Sequence, residues 1–140
     1  MRRIPRFAAL AIALGLALPL LSSGPASAAT IAANPSTVVA GSQVTISGDV
    51  LSNGTPGCTV PGDVTLISPA FAGLGDFAGT PATVATADSS GNFTTTVTIA
   101  ATVAPGTYDI SGRCGGGNLG VTATLTVVSG TVTIPPPFTG

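Results

Sequence analysis

From residue 30 onward, apolar and polar residues alternate at period two in short runs set off by Gly, Pro, Asn and Asp, and no window carries apolar residues at helical spacing. The clearest run, Asn92 to Ile99, places Phe93, Thr95, Val97 and Ile99 on one face and Thr94, Thr96 and Thr98 on the other, which predicts a strand with one buried and one wet side. Ala82 to Ala87 is expected to pair with it as a hairpin through Asp88-Ser89-Ser90-Gly91, where Asp can cap its own backbone and Gly can take positive φ. Ile31 to Val39 is interrupted by Asn34-Pro35 and is therefore expected at a sheet edge, since Pro brings no donor to a ladder. Gln43 to Val50 turns Val44 and Ile46 inward, and Gly62 to Ile67 does the same with Val64 and Leu66. Thr107 to Arg113 turns in Tyr108 and Ile110; Leu119 to Val128 turns in Leu119, Val121, Ala123, Leu125 and Val127. Seven short strands with turn signals between them predict an all-β fold, a two-sheet antiparallel sandwich without helices.

Three segments stand apart from this pattern. Arg2 to Arg6 is basic, Phe7 to Leu21 is an apolar run of 15 residues, and Ala26-Ser27-Ala28 has the A-x-A form of a cleavage site, so residues 1–28 read as a secretory signal peptide. A spanning helix needs roughly 20 apolar residues, and this run is shorter and broken by Pro19. The expectation is a secreted, extracellular domain over 29–129 with no membrane insertion after cleavage. Ser68 to Thr80 is a Gly/Ala-rich loop holding Phe71, Leu74 and Phe77, and 130–140 is a Thr/Pro-rich tail.

Composition narrows the chemistry further. The chain has no His, Lys, Glu or Trp, and its five acidic residues are all Asp, at 49, 63, 76, 88 and 109. Three of the four Arg lie in the leader, so removal of 28 residues leaves 112 with five Asp and one Arg, a formal charge of −4. One cation cannot neutralise a row of phosphates, which excludes nucleic acid as a partner, and a polybasic membrane-surface site falls with it. Ser residues are plentiful, but no His, Lys or Glu stands ready to take their proton and no G-x-S-x-G occurs, so no catalytic residue is assigned and the expectation is a protein that is not an enzyme. Asp88-Ser89-Ser90-Gly91-Asn92 has the look of half a calcium loop but lacks the further carboxylates, and the expectation is a plain turn, with no metal and no cofactor. Gly112 to Gly120 resembles a phosphate-cradling loop, yet it lies between strands without a following helix or Lys.

Two cysteines, Cys58 and Cys114, remain after export to an oxidising compartment, where an even count is most simply read as one disulfide; free thiols or an intermolecular pair are the alternatives. Tetrahedral zinc would be two ligands short.

The segments N-P-S-T-V-V-A-G-S-Q-V-T-I-S-G (34–48), D-S-S-G-N-F-T-T-T-V-T-I (88–99) and A-P-G-T-Y-D-I-S-G-R-C (104–114) resemble the strand signatures of bacterial immunoglobulin-like modules of secreted and wall-attached proteins. The resemblance spans nearly all of the chain after the leader and implies a structural or adhesive module at the cell surface, its partner an unknown protein or glycan. With strands labelled A to G, Cys58 follows B and Cys114 ends F, so the bridge is expected to join two loops at one pole rather than to cross the core. Tyr108 resembles the tyrosine corner, whose hydroxyl ties back to nearby backbone. With no Lys, the isopeptide crosslinks of some wall proteins are impossible here.

Recognition is expected at the loops, with Phe71, Leu74, Phe77, Arg113 and Asn118 as candidate residues. Pro137-Phe138-Thr139-Gly140 resembles the end of an L-P-x-T-G sorting signal, with Pro136 where Leu belongs, which implies wall attachment. A second reading is a small-molecule carrier similar to the antitumour-chromophore apoproteins, with Phe71, Phe77 and the 112–120 loop walling one apolar cleft.

Overall fold

The computed structural model describes residues 28–52, 55–73 and 75–130. The leader through residue 27 and the sorting-signal-like Pro137 to Gly140 lie outside the described residues, as does Leu74. The described residues are all-β. Strands β1 (Thr30–Asn34), β2 (Thr37–Val39), β3 (Gln43–Asp49), β4 (Leu51–Ser52), β5 (Thr55–Pro56), β6 (Gly62–Ile67), β7 (Gly75–Phe77), β8 (Thr80–Ala87), β9 (Asn92–Thr98), β10 (Gly106–Cys114) and β11 (Gly117–Val128) follow in order. They form a three-stranded sheet β1-β3-β9, a six-stranded sheet β2-β11-β10-β6-β8-β7 that curls into a half-barrel, and the small β4-β5 pair.

Alternation drives each strand onto one core. Val44 and Ile46 of β3, Phe93 and Val97 of β9, Val64 and Leu66 of β6, Ile110 of β10 and Leu125 and Val127 of β11 are buried in one cluster drawn from both large sheets. The intervening residues face out: β9 carries exposed Thr94, Thr96 and Thr98. Covering Ile46, Leu66, Ile110 and Leu125, all 0% exposed, is worth about 1.5–3 kcal/mol for each side chain. Pro35 acts as expected, but it splits the run in two, with β1 on the edge of the smaller sheet and β2 on the edge of the larger. β2 lies parallel to β11, an exception to the otherwise antiparallel pairing among the large sheets' strands.

Three expectations need correction. Asp88 to Gly91 does make the turn, with the Asp88 carboxylate accepting from the N–H of Ser90 (2.8 Å) and of Asn92 (3.0 Å), and with Gly91 at φ 87°. However, β8 and β9 do not pair. β8 pairs with β6 and β7, while β9 pairs with β3 over seven residues from Gln43↔Thr98 to Asp49↔Asn92. Ala85 and Ala87 thus share the core with Phe93 and Val97 from the opposite sheet, where alternation satisfies both strands equally well. Second, the Gly/Ala-rich segment is largely structured. Ser68 and Phe71 are buried, Phe71 bridges Ile99, and Phe77-Ala78-Gly79-Thr80 turns β7 back onto β8 with positive φ at both Ala78 (51°) and Gly79 (83°). Phe71, expected among the recognition loops, is instead packed into the core, where its ring closes the apolar cluster beside Ile99. Third, Cys58 and Cys114 are bonded, but Cys114 is itself part of the buried cluster, so the bridge fastens the segment before β6 to the core end of β10.

Tyr108 is half-buried, and its hydroxyl donates to the Ala104 carbonyl at 2.7 Å, tying the start of β10 to the chain leading into it.

Candidate functional site

Of the five candidate recognition residues, the structure brings three together. Arg113 and Asn118 stand opposite one another in the β10–β11 register, at the root of the turn made by Gly115 and Gly116, whose φ values of 55° and 86° suit glycine. Phe77 belongs to β7, on the far side of β6 and β8. The long Arg side chain and the curl of the sheet close that distance, and the guanidinium carbon lies 4.8 Å from the centroid of the Phe77 ring.

Two hydrogen bonds fix the guanidinium in place. One terminal nitrogen donates to Asn118 Oδ1 (3.0 Å) and the other to the Gly116 carbonyl (2.9 Å). A guanidinium has five N–H donors, so three remain. Asn118 spends its side-chain oxygen on Arg113 and keeps two amide N–H donors. The result is a positively charged, donor-rich spot beside an exposed aromatic ring, one residue from the disulfide-bonded Cys114. Arg113 is the single cation in residues 28–130, and its partners here are neutral. In a domain that also carries five Asp, its charge is the complement of a carboxylate.

Sequence reasoning missed the bulge beside this spot. Between Ser111↔Thr122 and Arg113↔Asn118, β10 spends one residue while β11 spends three, and Gly120 takes φ 75°. The extra residues open a cavity of 210 Å³ lined by Ser111, Gly112, Asn118, Gly120, Val121 and Thr122. Its signal in the sequence is G-N-L-G, two glycines flanking a pair that breaks the alternation.

A larger cleft of 310 Å³ lies elsewhere, lined by Phe71, Ala72, Thr83, Thr96, Val97 and Thr98. Neither Phe77 nor the 112–120 loop touches it, so the single cleft expected for a carrier is not formed. The five Asp do not converge. Asp49, Asp76 and Asp88 accept from backbone N–H groups nearby, Asp63 reaches Thr86, and Asp109 faces solvent from β10. Among the described residues no three or more Cys and Asp side chains gather as metal ligands, and no helix is long and apolar enough to cross a membrane. No protein-family model, curated protein or solved structure matches this chain.

Proposed function

We propose that this chain is a secreted, non-enzymatic immunoglobulin-like module that acts at the bacterial cell surface and binds a protein or glycan through the pole bearing Arg113, Phe77 and Asn118. The observation that carries the reading is the pinned Arg113 guanidinium, stacked on an exposed ring and bonded only to neutral groups. A rigid donor array on strand ends loses little entropy when it takes an acceptor from a partner. The partition of strands supports the fold assignment: β1, β3 and β9 stand where strands A, B and E would, and β11, β10, β6 and β8 where G, F, C and C′ would. The leader-like residues 1–28, the disulfide and the scarcity of proton-transfer groups support secretion and a binding role. A tail resembling a sorting signal supports wall attachment.

The test is retention of the purified 29–140 protein on intact cells and on isolated cell-wall material, for the wild type and for Arg113→Ala. Wild-type retention should fall at least about tenfold in the variant, as expected for loss of a central charged anchor, with the melting curve little changed. Equal retention of both proteins would remove Arg113 from the site. Turnover of any substrate, abolished by an Asp or Ser substitution, would overturn the non-enzymatic reading.

A further inference from the structure

The pole that carries Arg113 holds two features that a partner would meet together. One is the guanidinium, whose hydrogen bonds go to the Asn118 side-chain oxygen and the Gly116 carbonyl, so each terminal nitrogen keeps one N–H and Nε keeps its own. Neither acceptor is charged, and the positive charge is left unbalanced by its hydrogen-bond partners. The other is the 210 Å³ cavity at the bulge between β10 and β11. Asn118 belongs to both.

The lining of that cavity is polar and uncharged. Ser111 and Thr122 stand opposite each other in the register and bring two hydroxyls, Asn118 brings its amide, and exposed Gly120 leaves its backbone bare. Val121 is the one large aliphatic side chain among the lining residues, and no Asp is among them. On the inner side Leu119 packs against the core and comes so close to Gly112 that a Cβ there would lie 2.7 Å from its Cδ1, which anchors the bulge from beneath.

These features select an occupant. A space of 210 Å³ equals about seven waters at ~30 Å³ each, which suits one sugar ring, and its hydroxyl and amide groups match ring hydroxyls. An aliphatic or aromatic anchor from a protein would find no apolar pocket there. Ser111 and Arg113 lie two residues apart on one face of β10, about 7 Å along the strand, so the exocyclic carboxylate of a ring seated in the cavity reaches the guanidinium. Arg113 is the single cation in residues 28–130 and balances one negative charge, which fits a carboxylate and not a dianionic phosphate.

We propose that this pole takes a uronic acid unit of an acidic glycan, its carboxylate held by Arg113 and its ring hydroxyls by Ser111, Asn118 and Thr122. The assignment rests on the reading of this pole as the binding site and narrows its partner from a protein or glycan to an acidic sugar.

Two-dimensional amide NMR of the 29–140 protein, with its disulfide intact, tests it with methyl glucuronide and methyl galacturonide as probes and the neutral methyl glucoside and galactoside as their twins. At least one uronide should shift the amides of Arg113, Asn118, Gly120 and Thr122, and saturate in the millimolar range expected of so small a ligand. It should bind about tenfold tighter than its neutral twin. Acetylglycine, a carboxylate without a ring, should bind about tenfold more weakly than that uronide. Arg113→Gln should bring the uronide down to the affinity of the neutral sugar, and Thr122→Val should weaken both sugars while leaving their ratio unchanged. Saturation by neither uronide, or equal binding of a uronide and its neutral twin, would overturn the assignment. If Arg113→Ala still abolishes retention on cell-wall material in that case, the pole stands as a binding site for another partner; if it does not, the site itself falls. Acetylglycine binding as tightly as the uronide would overturn the sugar and make a chain-terminal carboxylate the ligand.

Discussion

Reduction of the Cys58–Cys114 bridge is the perturbation whose size the structure best defines. The bonded residues are 56 positions apart and Cys114 is 5% exposed, at the core end of β10. In the chain-entropy description a loop of that length restrains the unfolded state by about 4 kcal/mol. A domain of about 100 residues loses roughly 4 to 8 °C of melting temperature for each kcal/mol, so reduction should lower Tm by ten degrees or more. Total stability for such domains is about 5–15 kcal/mol, and most of the buried cluster, with Ile46, Leu66, Ile110 and Leu125 at its centre, is apolar side chains other than the bridge. The reduced protein should therefore remain folded at 25 °C. Scanning calorimetry with and without reductant measures the shift, and far-UV circular dichroism checks the fold. Mass spectrometry of the untreated protein should show two hydrogens fewer than the reduced form. Two titratable thiols in the untreated protein, or an unchanged Tm on reduction, would refute the reasoning. Unfolding at 25 °C would mean that Cys114 supports the core far more than its share of buried surface allows.

Other substitutions probe particular contacts. Ala78 sits at φ 51° in the β7–β8 turn, a conformation costing a non-glycine residue about 1–2 kcal/mol, so Ala78→Gly should raise Tm by a few degrees in a thermal melt. Gly48→Ala should destabilise strongly, by about 1–3 kcal/mol or more in urea unfolding, because the added methyl would meet the Thr30 carbonyl and lie 2.7 Å from the Phe93 ring. Leu125→Ala, at a position 0% exposed, should cost about 2–5 kcal/mol in the same assay. Tyr108→Phe should cost about 1 kcal/mol through loss of the bond to Ala104, with its ring packing retained.

Local pattern alone determined the longer strands and most of their inward faces. Val44, Ile46, Val64, Leu66, Ile110 and Leu125 are buried where alternation put them, since period two is a property of the strand itself. Turn chemistry was equally local: Asp88 caps its own turn, and Pro35 ends one edge strand and precedes another. The disulfide was legible from an even pair of cysteines behind a leader-like segment. Which strand lies beside which was decided by the tertiary structure. Ala82 to Ala87 alternates identically whether it pairs with β9 or faces it across the core, so the sequence could not separate the two, and only the competition of β3 for β9 and of β6 for β8 settled it. The recognition candidates divided for the same reason. Phe71 and Phe77 share one Gly/Ala-rich segment, but the bridge to Ile99 draws the first into the core, and the β7–β8 turn leaves the second outside under Arg113.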